Sequence, residues 1–326
     1  MLQMKYSLPK KNKKNPKESQ AKRKISFLLI LLLILFLFLA LMSILNVAIK
    51  KNTIGIRVIN SPLAFSATEY PILKNIYEPQ ISAKSAIIIE DDSKKIIYSK
   101  NSKLRLPPAS TTKIMTALTS LDYFKPEDIL TVKQITNEGS VIGLVEGDRM
   151  SFENLFYAML LPSANDAAHT IAQNYPGGVG EFTNAMNKNT REFSMIDTHF
   201  EDPTGLIDNK DFTTVYDLAL LSSIAFNNEY FKNAVGTKYK IIRNEAGKEY
   251  ELNNLNILLG RNGVEGIKTG FTEEAGQVLV TAKVEEVNGK KKTFIIVVMH
   301  SEDRFADTEV LLNYLSDNVN FLSIHP

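Results

Sequence analysis

Ser110-Thr-Thr-Lys113, Ser163-Ala-Asn165 and Lys268-Thr269-Gly270 stand in that order along the chain and hold the residues with chemistry to offer. A serine hydroxyl is a poor nucleophile until a base takes its proton. In a helix, residues three apart share a face, so Ser110 and Lys113 would point into one site from a first turn. Lys113 can serve as that base only with its amine uncharged, whereas a free lysine titrates at about 10.4. Burial, the positive end of a helix dipole and a second lysine nearby all push that value down, and Lys268 is the obvious second lysine. Ser163 and Asn165 also have a plainer reading, since both types cap helices well and a helical pattern follows them.

Taken singly, two of these runs say little. S-x-x-K also occurs at Ser7–Lys10 and Ser19–Lys22, in a basic tail, and S-x-N recurs at Ser99–Asn101 and Ser316–Asn318. K-T-G occurs once, just before a strand pattern. The other candidate chemistries are sparse. With no cysteine there is no disulfide, thiolate metal site or cysteine nucleophile. Four scattered histidines without H-E-x-x-H leave little for a zinc enzyme.

Their surroundings decide the matter. Pro107-Pro-Ala-Ser-Thr-Thr-Lys-Ile-Met-Thr-Ala-Leu118, Leu160-Leu-Pro-Ser-Ala-Asn-Asp-Ala-Ala168 and Gly266-Ile-Lys-Thr-Gly-Phe-Thr272 resemble the motif regions of serine D-alanyl-D-alanine carboxypeptidases, the low-molecular-mass penicillin-binding proteins. Asp202-Pro-Thr-Gly-Leu206 and Asn254-Leu-Asn256 also look like this family, and the resemblance runs from about Ser85 to Leu315. It implies an acyl-enzyme on Ser110, release of the terminal D-alanine of a peptidoglycan stem peptide, and acylation by penicillin. It implies no metal or organic cofactor. It gives Lys113 the role of base and Ser163 that of a bridge between the two lysines, passing a proton to the leaving amine. Asn165 would bind the peptide carbonyl. Lys268 and Thr269, with Arg304 36 residues beyond Lys268, would hold the terminal carboxylate. The N–H groups of Ser110 and of Phe271, just past Gly270, would form the oxyanion hole. The strand carrying Lys268 would pair with the extended peptide.

Two relatives in chemistry need weighing. Glu249-Tyr-Glu-Leu-Asn253 spells the E-x-E-L-N run of class A β-lactamases, but it lies 86 residues after Ser163 and 19 before Lys268. In those enzymes the glutamate sits much nearer the second motif, so this run reads as a strand leading into Asn254-Leu-Asn256. A D,D-endopeptidase that cuts crosslinks would use the same residues as a carboxypeptidase and remains the alternative. A catalytically dead wall-binding protein predicts damage to a motif, and all three are intact.

The elements that must position these residues follow from pattern. Ser85-Ala-Ile-Ile-Ile-Glu90, Asp91–Lys94 and Lys95-Ile-Ile-Tyr98 read as strand, turn, strand. A helix is expected near Ser110, stopped upstream by Pro107-Pro108 and capped by hydroxyls of 110–112. Helical spacing covers Phe152–Leu161, Ala164–Gln173, Val215–Phe226 and Arg304–Leu315. Two apolar strand patterns flank Asn288-Gly289, a favoured hairpin pair. Strands at both ends with a helical cluster inserted between predict an α+β domain, the first and last hairpins sharing one antiparallel sheet. The resemblance implies the same penicillin-binding type of fold.

The N-terminus carries a different message. Residues 1–24 hold nine Lys and Arg against Glu18 alone, leaving 29 basic and 35 acidic side chains in the rest. The large part is therefore no basic nucleic-acid binder. Phe27 to Met42 is uninterruptedly apolar, and residues 25–49 as a helix would span roughly 37 Å, enough for a bilayer core of about 30 Å. The run is longer than a signal-peptide core and lacks a good cleavage site. The expectation is a basic cytoplasmic tail (1–24), a membrane anchor (25–49), a proline-dotted spacer (50–80) and an extracytoplasmic carboxypeptidase domain (81–326). The wider family usually continues into a small β-domain and a C-terminal anchor, and here the N-terminal helix is expected to take over that role.

Overall fold

The computed structural model describes residues 35–39, 42, 69–207, 210–316 and 318–323. The chain divides into two units, Met1–Phe65 and Ser66–Pro326. In the first, residues 35–39 and 42 are helical and exposed. Most of the expected anchor, the basic tail and residues 50–68 lie outside the described residues. Among the described residues no helix is long and apolar enough to cross a membrane.

In the second unit the strands are β1 (Glu69–Leu73), β2 (Ser85–Glu90), β3 (Ile96–Lys100), β4 (Ile129–Thr131), β5 (Arg149–Ser151), β6 (Tyr239–Arg243), β7 (Glu249–Asn253), β8 (Val264–Thr272), β9 (Gly276–Val287), β10 (Lys290–Ser301) and β11 (Val319–Ser323). The helices are α1 (Lys113–Leu121), α2 (Phe152–Leu160), α3 (Asn165–Asn174), α4 (Gly178–Glu192), α5 (Val215–Phe226), α6 (Glu229–Val235) and α7 (Arg304–Leu315). A 3₁₀ turn, Ala109–Thr112, leads into α1. The main sheet runs β3-β2-β10-β9-β8, with every neighbour antiparallel. The first and last hairpins therefore do share one sheet, and β8, which carries Lys268, is its edge.

Both sheet faces are covered, which is why β2 and β10 read as continuous apolar runs rather than alternating ones. Ile87, Ile89, Ile295, Val297 and Met299 face the helical side and join its core with α1 and α5. The intervening Ala86, Ile88, Phe294, Ile296 and Val298 face α7, against Leu311, Leu312 and Leu315. The period-2 pleat thus divides one run between two cores. At the β9–β10 tip, Asn288 and Gly289 both take positive φ, 53° and 76°, as a two-residue hairpin turn requires.

Two expectations are corrected. Within the expected spacer of residues 50–80, Glu69–Leu73 is a strand that pairs residue for residue with β11 and belongs to the compact unit. The hydroxyls of 110–112 do not cap α1 either: neither the 3₁₀ turn nor the helix has a side-chain cap. Thr111 Oγ1 instead donates to the Pro108 carbonyl at 2.6 Å.

Candidate active site

The turn after Pro107-Pro108 brings Ser110 and Lys113 together. Lys113 Nζ lies 2.9 Å from Ser110 Oγ and 3.0 Å from the Thr204 carbonyl oxygen, with its side chain wholly buried. Burial drives its pKa down to about 7, against an opposing pull from Asp202. An amine at that value is uncharged in half its molecules near neutral pH and can then accept the Ser110 proton. Burial alone accounts for the drop; the repulsion between the two lysines falls on the other partner.

That partner is Lys268. It is 2% exposed, and its Nζ donates to the Thr269 carbonyl at 3.0 Å. Burial holds its pKa well below the lysine range, and the charges of Lys113 and Arg304 lower it further. Arg304, at the start of α7, reaches back so that Nη1 donates to the Gly270 carbonyl at 2.8 Å, while its buried Nε has no partner. It is no solvated helix charge.

Edge strand β8 lies directly against the turn that carries Ser110. A Cβ on Gly270 would sit 3.2 Å from the Ser110 backbone nitrogen, so any side chain there would force the strand and the turn apart by a few tenths of an ångström. Gly205 makes the matching approach from the other side, where at φ +80° a Cβ would run into the Ala109 carbonyl oxygen. The Asp202 carboxylate fixes that loop, accepting from the backbone N–H of Thr204, of Gly205 at 3.0 Å and of Ile207 at 3.2 Å. The loop thereby aims the Thr204 carbonyl at Lys113.

Ser163 precedes α3 with φ of +65°, and the helix cap is Ala164, without a side-chain bond. The capping reading of Ser163 and Asn165 is therefore not what the chain adopts. Ser163 Oγ is buried and unpartnered, bridging neither lysine in this state. Asn165 Nδ2 donates to the Glu138 carbonyl at 2.7 Å, and its Oδ1 is buried and unpartnered.

These residues converge on one cleft of about 170 Å³, lined by Ser110, Ser163, Asn165, Thr269, Gly270, Phe271 and Arg304 from the motifs. Gly139, Ser140, Leu206 and Leu255 complete it, and sequence reasoning gave none of these four a role. No carboxylate lines this cleft among the described residues. A wider hollow of about 310 Å³ beside Lys232, Lys238 and Glu265 holds none of the three motifs. Glu249 and Glu251 lie exposed on β7, Glu249 paired with Arg243 across the hairpin, so the E-x-E-L-N run is a strand outside the cleft.

A half-buried serine against a buried lysine, orphaned polar atoms around them and basic side chains to receive a carboxylate suit acyl transfer from a peptide with a free C-terminus. A family model described as D-alanyl-D-alanine carboxypeptidase, of the S11 peptidases, matches residues 73–303. The chain belongs to this family. It is 32% identical over 270 residues to the D-alanyl-D-alanine carboxypeptidase DacF of Bacillus subtilis, covering 80% of this chain and 68% of that one. It is 30% identical over 247 residues to the D-alanyl-D-alanine endopeptidase of Escherichia coli, covering 73% and 78%. Among solved structures, the Streptomyces K15 DD-transpeptidase superposes with a TM-score of 0.68 at 28% identity, covering 73% of this chain and 98% of that one. Penicillin-binding protein D2 of Listeria monocytogenes, in its ampicillin-bound form, gives 0.65 at 27% identity, covering 73% and 99%. The S11 carboxypeptidase is thus a serine peptidase on the α+β penicillin-binding fold.

Proposed function

We propose that this S11 carboxypeptidase removes the terminal D-alanine of peptidoglycan stem pentapeptides by the following route. Lys113 takes the Ser110 proton, and Ser110 Oγ attacks the carbonyl between the two D-alanines. The N–H groups of Ser110 and Phe271 carry the oxyanion. Asn165 orients the peptide, while Lys268, Thr269 and Arg304 hold the terminal carboxylate. As the C–N bond breaks, the proton passes through Ser163 to the leaving D-alanine amine, leaving an ester on Ser110. Water, deprotonated by Lys113, then hydrolyses that ester. The observation that carries this route is the 2.9 Å contact between Ser110 Oγ and the fully buried, depressed amine of Lys113.

Penicillin presents a lactam carbonyl beside a carboxylate and should acylate the same oxygen. Fluorescent penicillin is expected to label the wild type and not Ser110→Ala. Equal labelling of both would remove Ser110 as nucleophile. The likeness to D,D-endopeptidases supports a second substrate, the crosslinked dimer. Release of D-alanine from a pentapeptide against cleavage of a dimer separates the two. The apolar run at 27–42 behind a tail rich in lysine supports a single membrane anchor, with the catalytic unit outside the cell. Membrane fractionation of the full chain and of one lacking residues 1–49 tests this.

A further inference from the structure

Gly139 and Ser140, from the loop 138–144, line one side of the cleft, and several bonds bind that loop to the start of α3. Asn165 N donates to the Ser140 carbonyl at 2.7 Å, and Ser140 Oγ to the Pro162 carbonyl at 2.7 Å. The Asp166 carboxylate accepts from the backbone N–H of Ile142, Gly143 and Leu144 at 2.9–3.3 Å. There the Asn165 amide donates to the Glu138 carbonyl at 2.7 Å. A carbonyl accepts only, so this bond decides which way the amide faces: nitrogen toward the loop, Oδ1 free. Gly139 stands against that bond. A Cβ there would lie 2.5 Å from Asn165 Nδ2 and 3.7 Å from Leu206 Cδ1. Nδ2 ends a side chain, so an added methyl would displace the amide rather than the backbone.

We infer that Gly139 is a positioning residue for the reaction: its missing side chain lets Asn165 lock onto the Glu138 carbonyl, which sets the amide that orients the peptide. This rests on the acyl-transfer reading of the cleft. A displacement near 1 Å at a group that orients substrate can slow a reaction by about 10²-fold. Gly143 supplies the control. It lies in the same loop at φ +79°, yet nothing stands within 4 Å of its would-be Cβ. Gly143→Ala therefore carries the backbone strain without the collision.

The test is a double-mutant cycle on the full chain, reading the second-order acylation rate by fluorescent penicillin, D-alanine release and the melting curve. Gly139→Ala is expected to acylate about 10–100-fold more slowly, and Gly143→Ala within about threefold of wild type. Gly139→Asn, whose side chain tolerates positive φ but still carries a Cβ, should behave like Gly139→Ala and serves if that variant folds poorly. Adding Gly139→Ala to Asn165→Ala should cost less than about threefold more, since the amide it disturbs is already gone. Equal rates for the two alanine variants, or losses that multiply in the double variant, would overturn the inference. Failure of the wild type to label at all would instead strike at the acyl-transfer reading beneath it.

Discussion

Lys113 offers the sharpest test of the chemistry, because its titration should appear directly in the acylation rate. Its pKa of about 7 comes from burial, partly offset by Asp202. At pH 7 about half of the amines are then uncharged, whereas a free lysine at about 10.4 would be uncharged in roughly one molecule in 2,500. The fold thus enlarges the base-competent population about a thousandfold. Only the neutral form can accept the Ser110 proton, so the rate must rise with pH. Below about pH 6 it should fall close to tenfold per unit, and above about pH 8 it should level off. Asp202→Asn keeps one oxygen for the N–H groups of Thr204 and Gly205, gives up the acceptor for Ile207 and removes the charge that raises Lys113, so the inflection should move to lower pH. The other ionisable groups facing this amine are Lys268 and His169, each lowered by its own burial and by Lys113. The assay is the second-order rate of fluorescent-penicillin acylation from pH 5 to 9 for both proteins. A rate flat across that range, or an inflection moving upward in Asp202→Asn, would refute the neutral-amine mechanism.

Three further outcomes follow from single groups. Arg304→Gln should raise KM for a D-Ala-D-Ala peptide by about 10–100-fold with a smaller change in kcat, since a charge-assisted bond to the carboxylate contributes about 1.5–3 kcal/mol; steady-state kinetics decide it. Burial pushes Lys268 toward its neutral form, so a carboxylate bound beside it should favour the charged form, and calorimetry in buffers of different ionisation enthalpy should show proton uptake on binding that grows as pH rises. Asp307 ties the start of the domain to α7 through the N–H groups of Ser82 and Ala83 and the hydroxyls of Ser82 and Ser301. Burial works to raise its pKa, but those bonds outweigh it and hold it below the usual value. Its stabilisation is therefore full above the unfolded carboxylate value and lost as pH falls through the folded one. Asp307→Ala should lose about 2–4 kcal/mol at neutral pH and show a weaker acid dependence of unfolding, read by denaturant melts at pH 3 to 7.

How far the sequence could be read depended on what each residue answers to. The sheet was legible because β2 and β10 are apolar runs of strand length and Asn288-Gly289 permits little but a tight hairpin. Val215–Phe226 and Arg304–Leu315 were legible to the residue from their spacing. The start of α1 was not, because Thr111 spends its hydroxyl on Pro108 and Ala109 takes a left-handed φ of 47°, choices imposed by packing against Gly205 and Gly270. Strand β1 escaped notice for a related reason: its partner lies at the far end of the chain, and Pro71 argues locally against a strand. In the site, Ser110, Lys113 and Lys268 stood out as motif residues. Asp202 and Thr204 were seen only within a family-like run and without a role, and Glu138 and Gly139 not at all, since three of the four act through backbone groups or a missing side chain and leave little trace in composition.

The two lysines show why these supporting groups matter. An isolated buried ammonium is costly, and a protein usually avoids one by pairing it or by letting it lose its proton. Here the cleft lining holds no carboxylate among the described residues, and both amines are driven toward neutrality instead. A carboxylate placed beside Lys268 would have stabilised the charge permanently, leaving no vacancy for the end of a peptide. Placed beside Lys113, it would have kept the base protonated. Asp202 comes near enough to temper the drop, but its hydrogen bonds go to its own loop, and it meets Lys113 only through the Thr204 carbonyl. On the proposed route the counter-charge would arrive with the substrate, whose terminal carboxylate would tie recognition of the peptide end to the protonation state that the reaction needs.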